Sequence, residues 1–101
     1  MTQFDVYINE NRASQLKKPY LIDVQNDVVE VLETRLVIPL GRNIEGITKL
    51  NPMITINAEL LTLLTQDIVS VPAEILNEKV GSVVSSRDDI LGAIDFMLVG
   101  F

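Results

Sequence analysis

SRDDILGAIDFMLVGF, Ser86 to Phe101, is the stretch of this 101-residue chain in which apolar residues recur at helical spacing. Ile90, Ile94, Met97 and Phe101 form one series, with Leu91 and Leu98 beside it. Ser86, followed three residues on by Asp89, has the form of a capping box with Asp in place of Glu. Asp88 and Asp89 suit the positive end of a helix dipole, and Gly100 stands where a helix would stop. The spacing predicts one helix over about 86–99. The tip is apolar, whereas loose chain ends are usually polar unless something ties them down. It is therefore either packed away or kept for another molecule.

Upstream of residue 86 the periodicity is mostly that of β-strands. In QFDVYIN, Phe4, Val6 and Ile8 alternate with polar neighbours and Tyr7, which predicts a half-buried strand. ENRASQLKKP (10–19) is a polar connection. PYLIDVQ (19–25) and TRLVIPL (34–40) predict a second and a third strand. Pro39 cannot donate to a sheet ladder, so the third strand is expected to end there or lie at an edge. GRNIEGITKLN (41–51) has two glycines and no clean period, as a loop does. MITIN (53–57) and LLTLLTQ (60–66) flank Ala58-Glu59 and predict a hairpin, and DIVSVPA (67–73) a further extended piece. The fold class is mainly β with one C-terminal α-helix, in a single domain over 1–101.

Composition narrows the function. Apolar residues make up 48%, enough for a real core, so a folded chain is expected rather than a globally disordered one. No apolar run approaches the ~18 residues of a membrane span, and the N-terminus lacks signal-peptide character. A cytoplasmic protein without membrane contact is the default expectation. The chain has neither Cys nor His, which removes disulfides, thiol or imidazole catalysis and every Cys- or His-based metal site. Net charge is −6, and residues 50–101 hold two basic against seven acidic groups. Such a surface repels phosphate backbones, so direct nucleic-acid binding is disfavoured and protein partners are favoured.

Candidate chemistry is sparse. Asp23, Gln25, Asn26, Asp27 and Glu30 form the densest polar cluster. It reads either as a carboxylate pair for acid–base work or Mg²⁺, or as a strand end and turn with local backbone bonds; no calcium or phosphate loop accompanies it. Arg35 opens an apolar strand, where pairing with a carboxylate is its expected role, against that of a transition-state cation. Val28 and Val29 are an apolar pair whose side chains point opposite ways in an extended segment, so one can face outward. No cofactor is implied.

Several segments, in order, resemble the CcdB family of toxin–antitoxin toxins. They are Asp23-Val24-Gln25 with Asp27, Arg35-x-Val37-Ile38-Pro39-Leu40, and Pro52 with Ile54 and Ile56. Thr65-x-Asp67-x-x-Ser70-Val71-Pro72 and Ala93-Ile94-x-x-Met97 with Gly100 complete the series. The resemblance implies an SH3-like barrel of the CcdB/Kid type, closed by the final helix and paired as a homodimer. It also implies a non-enzymatic activity. Such toxins bind the A subunit of DNA gyrase, trap it on cleaved DNA, and are neutralised by a CcdA-like antitoxin, through which alone DNA is reached.

Carried over residue by residue, the gyrase-binding candidates are Val28, Val29, Asp95, Val99, Gly100 and Phe101. Met97, Leu98 and Phe101 are candidates for the dimer interface. The family's familiar ending is Trp-Gly-Ile, and here it is Val99-Gly100-Phe101, with Asp95 in place of an asparagine. Val99 lacks the indole that packs on a gyrase arginine in the family, a contact worth roughly 1–2 kcal/mol when desolvated. Phe101 offers an aromatic face two positions later. Two alternatives stand beside this reading. One is an endoribonuclease of the Kid/MazF type using Arg35; the other is a homologue that keeps antitoxin binding and has lost gyrase poisoning. The 10–18 loop is the candidate place for antitoxin contact.

Overall fold

The computed structural model describes residues 2–27 and 32–100. Among the described residues, seven strands precede one helix: β1 (Asp5–Ile8), β2 (Tyr20–Asp23), β3 (Thr34–Gly41), β4 (Met53–Ile56), β5 (Glu59–Leu63), β6 (Val69–Pro72), β7 (Lys79–Ser82) and α1 (Arg87–Val99). Single 3₁₀ turns sit at Thr65–Asp67, Ala73–Ile75 and Val84–Ser86. The strands form one antiparallel sheet in the order β4-β5-β3-β2-β1-β7, with β6 also paired to β3. The result is a mainly β architecture, a sheet curled into a half-barrel, with one C-terminal helix.

The long third strand organises the sheet. One edge of β3 pairs with β2 from Tyr20↔Leu40 to Asp23↔Val37. Its other edge is shared: Thr34–Val37 meet β6, and Leu40–Gly41 meet β5. Pro39 lies within the strand, contrary to the expectation that it would end it or mark an edge. It sits at the seam where the outer neighbour changes from β6 to β5. Its carbonyl accepts the Leu64 N–H at 2.9 Å on that side, and the missing N–H faces the same seam. No ladder bond is lost, so the proline is tolerated.

The first strand also departs from the alternation read in the sequence. Val6 and Phe4 enter the main core, but Asp5 and Tyr7 on the opposite face are buried as well. The main core joins Ile22, Ile38, Leu40, Leu61 and Leu63 to Ile90 and Ala93 of α1. A second, smaller cluster of Tyr7, Leu21, Val37 and Leu76, with Val71 against it, covers the other face of the central strands. Both faces of β1 and β2 are therefore covered, which explains why β1 is not half-buried.

Two further details correct the sequence reading. The β4–β5 hairpin forms, but its turn is Asn57-Ala58, both at positive φ (49° and 66°), with Ile56 opposite Glu59. That is the two-residue primed turn whose twist suits a hairpin. Strand β7, unmarked by the periodicity, pairs antiparallel with β1. Its four residues KVGS carry a single large apolar side chain, too little for an alternation signal.

Ala58 bears a cost in this turn, because a left-handed backbone is unfavourable for a residue with a Cβ by about 1–2 kcal/mol. Ala58→Gly removes that strain and gives back part through unfolded-state entropy, for a net gain of about 0.5–1 kcal/mol. A thermal midpoint higher by about 2–6 °C in calorimetry is the expected outcome. An unchanged or lower midpoint contradicts it.

Candidate functional site

The helix that the sequence singled out is docked along one side only. Ile90 and Ala93 are buried in the main core, and burying a side chain such as Ile90 contributes about 1.5–3 kcal/mol. Met97, seven residues on from Ile90 and four from Ala93, lies on the same side but is only half-buried. Leu91, Ile94 and Phe96 are likewise half-buried flanks. Ser86 is the N-cap residue, as read, but its side chain makes no capping bond, so the capping box does not form. A 3₁₀ turn over Val84–Ser86 leads into the helix instead, with Asp88 and Asp89 in the first turn. At the other end Gly100 adopts φ 81° and its N–H donates to the Phe96 carbonyl at 2.8 Å. Only glycine takes that left-handed cap at no steric cost.

The opposite side of α1 is bare. Asp88, Gly92, Asp95 and Val99, spaced three or four apart, form one exposed stripe. Leu98 flanks it and is 71% exposed, and Val99 is 60% exposed. Two neighbouring large apolar side chains thus stand in solvent on the last turn. The last turn carries no basic residue, and Arg87 at the other end, 3.5 Å from Asp88, is the helix's one cation. Asp95 and the negative end of the helix dipole therefore make the tip electronegative, a setting that attracts a partner's cation.

Of the residues read from sequence as gyrase-facing, the structure brings Asp95, Val99 and Gly100 together at the exposed helix end. Val28, Val29 and Phe101 lie outside the described residues. Among the dimer-interface candidates, Leu98 is exposed and Met97 half-buried, while Phe101 is again outside. Asp88 and Gly92 share the stripe and were not singled out as facing a partner. Counting back from Val99 and Asp95 in steps of three and four would have found them.

The polar cluster of 23–27 resolves into structure. Arg35, 1% exposed, donates from Nε to Asp23 Oδ2 at 2.8 Å, and its Nη2 lies 2.8 Å from the same oxygen. Nη2 also reaches Asp27 Oδ1 at 3.5 Å and the Gln25 carbonyl at 3.4 Å. The Gln25 N–H donates to Asp23 Oδ1 at 3.0 Å, an Asx turn at the strand end. Local bonding of Asp23, Gln25 and Asp27 and the carboxylate pairing of Arg35 are both observed, while Glu30 of the cluster lies outside the described residues. Burial raises the Asp23 carboxyl above its ordinary range, with Arg35 offsetting part of that rise. Tyr7 is likewise raised, first by burial and then by the charges of Asp5 and Asp23. Among the described residues there is no group of three acidic side chains able to hold a metal ion. No helix there is long and apolar enough to cross a membrane.

With the half-docked helix and the sheet in place, a family model described as CcdB protein matches residues 3–100. The chain belongs to the CcdB family. Membership makes it the toxin of a toxin–antitoxin system. The match runs from the residue before Phe4 to the cap Gly100, so it takes in the described part of the exposed tip as well as the sheet.

Two outcomes test the buried pair. Arg35→Met strands the Asp23 charge in the interior and is expected to cost about 3–5 kcal/mol in urea unfolding. A loss under about 1 kcal/mol would mean the pair carries no such role. For pH, a raised Asp23 pKa means that its contribution to stability is complete below the unfolded carboxyl value of 3.8 and is lost as pH rises through the folded value. Asp23→Asn, which does not titrate, is therefore expected to cost more stability at pH 4 than at pH 7, and the reverse order would contradict this.

Proposed function

We propose that this CcdB-family toxin acts by binding the A subunit of DNA gyrase and trapping the enzyme on cleaved DNA, without catalysing a reaction of its own. It works as a homodimer in the cytoplasm, is neutralised by a CcdA-like antitoxin, and meets DNA only through that partner. The observation that carries the reading is the end of α1. Asp95, Val99 and Gly100 stand exposed on a helix whose other side is fixed in the core. A preformed apolar tip loses little ordering entropy on docking, so its contact area converts efficiently into affinity.

Val99 and Leu98 supply apolar surface at the tip, and Asp95 supplies a charge for a gyrase cation. Leu98 and Met97 also extend onto the shoulder of the helix where a second copy would close the homodimer. The ribonuclease alternative loses its main support, because Arg35 is buried and tied to Asp23 and does not reach solvent for an RNA phosphate. A second reading keeps one observation in its favour. With Val99 in place of the family's tryptophan, the homologue binds its antitoxin and no longer poisons gyrase.

Expression in strains carrying a sensitive or a toxin-resistant gyrase A subunit separates these readings. Killing confined to the sensitive allele is the expected result. Killing that ignores the allele overturns the proposal, and harmless expression with retained antitoxin binding selects the second reading. In a binding assay with the purified gyrase A subunit, Asp95→Asn, an exposed position with no hydrogen bond or ion pair among the described residues, is expected to weaken binding several-fold. Unchanged affinity would remove Asp95 from the interface.

A further inference from the structure

We infer that Gly92 marks the place where the main chain of the gyrase A subunit lies against α1, so that the target-facing surface runs from the helix tip back along the exposed stripe to Asp88. The inference rests on the gyrase-binding reading proposed above and adds a specificity-determining residue to it. Gly92 sits in the middle of α1, Arg87–Val99, and is exposed. A glycine in a helix interior is destabilising relative to alanine, because it loses more backbone freedom on folding. Such a residue needs a reason.

The fold gives a reason for each of the other glycines and none for this one. A Cβ on Gly41 would strike Ile44 and Leu64, and one on Gly46 would strike the side chain of Asn51. Gly81 lies where β7 shifts register against β1, and Gly100 holds the left-handed cap. Gly92 has no positive φ, and a Cβ built on it would meet nothing within 4 Å among the described residues. The helix continues past it without interruption. What a methyl group would obstruct there is a partner.

The surroundings fit a closely packed segment that carries basic side chains. Gly92 and Phe96 form one wall of a groove of about 380 Å³, and Thr48, Lys49 and Pro52 form the other. That second wall is fixed from beneath by Asn51. Its Nδ2 donates to the Leu63 carbonyl at 2.9 Å and to Gln66 Oε1 at 2.8 Å, and its Oδ1 accepts the Ile47 N–H at 3.0 Å. Along the helix Gly92 lies between Asp88 and Asp95, which are two turns or roughly 10.5 Å apart. Asp88, with 97% of its side chain exposed, is paired with the exposed Arg87 at 3.5 Å, a weak contact. A bare main-chain saddle between two carboxylates admits another backbone at contact distance and attracts cations on either side of it. Continuity with Asp95 and Val99 at the tip assigns the saddle to the same partner.

The test measures affinity for the purified gyrase A subunit, thermal midpoint and oligomer mass for the full-length parent, Gly92→Ala, Gly92→Leu and Val99→Lys. Gly92→Ala is expected to raise the midpoint by about 2–6 °C at unchanged mass, and yet to bind about tenfold more weakly. Gly92→Leu, also at unchanged mass, should bind about a hundredfold more weakly. A more stable protein that binds less well is an outcome a purely structural glycine does not produce. Parental affinity in Gly92→Ala overturns the inference. So does an altered mass, which would assign the glycine to the homodimer, or a fallen midpoint, which would assign it to the fold. Val99→Lys separates the two layers. If it abolishes binding while Gly92→Ala binds as the parent does, only the close approach is wrong. If both variants bind as the parent does, the gyrase reading fails and the inference falls with it.

Discussion

The contact on which the site depends is the burial of Ile90 and Ala93 of α1 against the inner face of the curled sheet. It fixes the helix by one side and by that act determines what the other side is. Because the anchors are three residues apart in the first half of the helix, the second half runs on with Met97 half-buried and Leu98 and Val99 in solvent. The apolar residues of the last turn are therefore not core left over. They are surface, held stiffly, on a face that also carries Asp88 and Asp95.

The sheet supplies the rigidity behind that helix through an unusual use of both faces. Tyr7, Leu21 and Val37 fill a second cluster on the side away from α1, and Asp5, Asp23 and Arg35 are buried alongside. A buried ion pair contributes little net energy compared with apolar packing of the same volume. What Arg35 does is join the end of β2 to β3 and to Asp27, at the point where the chain leaves the sheet. Every buried side-chain nitrogen and oxygen among the described residues has a partner, so the polar layer is satisfied internally.

Much of the architecture was legible because the signals were local. The helix, its glycine cap and the β4–β5 hairpin follow from spacing and from single residues. Three features were not. The burial of Tyr7 depends on Leu76 and Val71 packing from far along the chain, and alternation within QFDVYIN carries no trace of them. Strand β7 owes its existence to pairing with β1, since KVGS has hardly any pattern of its own. Pro39 is tolerated by a change of neighbour at a seam, a tertiary fact invisible in TRLVIPL. The site divides the same way. Exposure of Asp95 and Leu98 follows from helical phase once Ile90 is known to be inside, and the pairing of Arg35 with a carboxylate was foreseen. The identity of that carboxylate, and the reach of Asp27 to Gln3 across the sheet, came only with the fold.

The central claim is that the molecule works by docking the stiff end of α1 into another protein. Its most direct measurement is the toxicity of a chain shortened by Val99, Gly100 and Phe101, together with its thermal midpoint and oligomer mass. Ile90 and Ala93 remain, so the fold is predicted to keep its midpoint and mass while killing of gyrase-sensitive cells disappears. A shortened protein that still kills those cells would contradict the account.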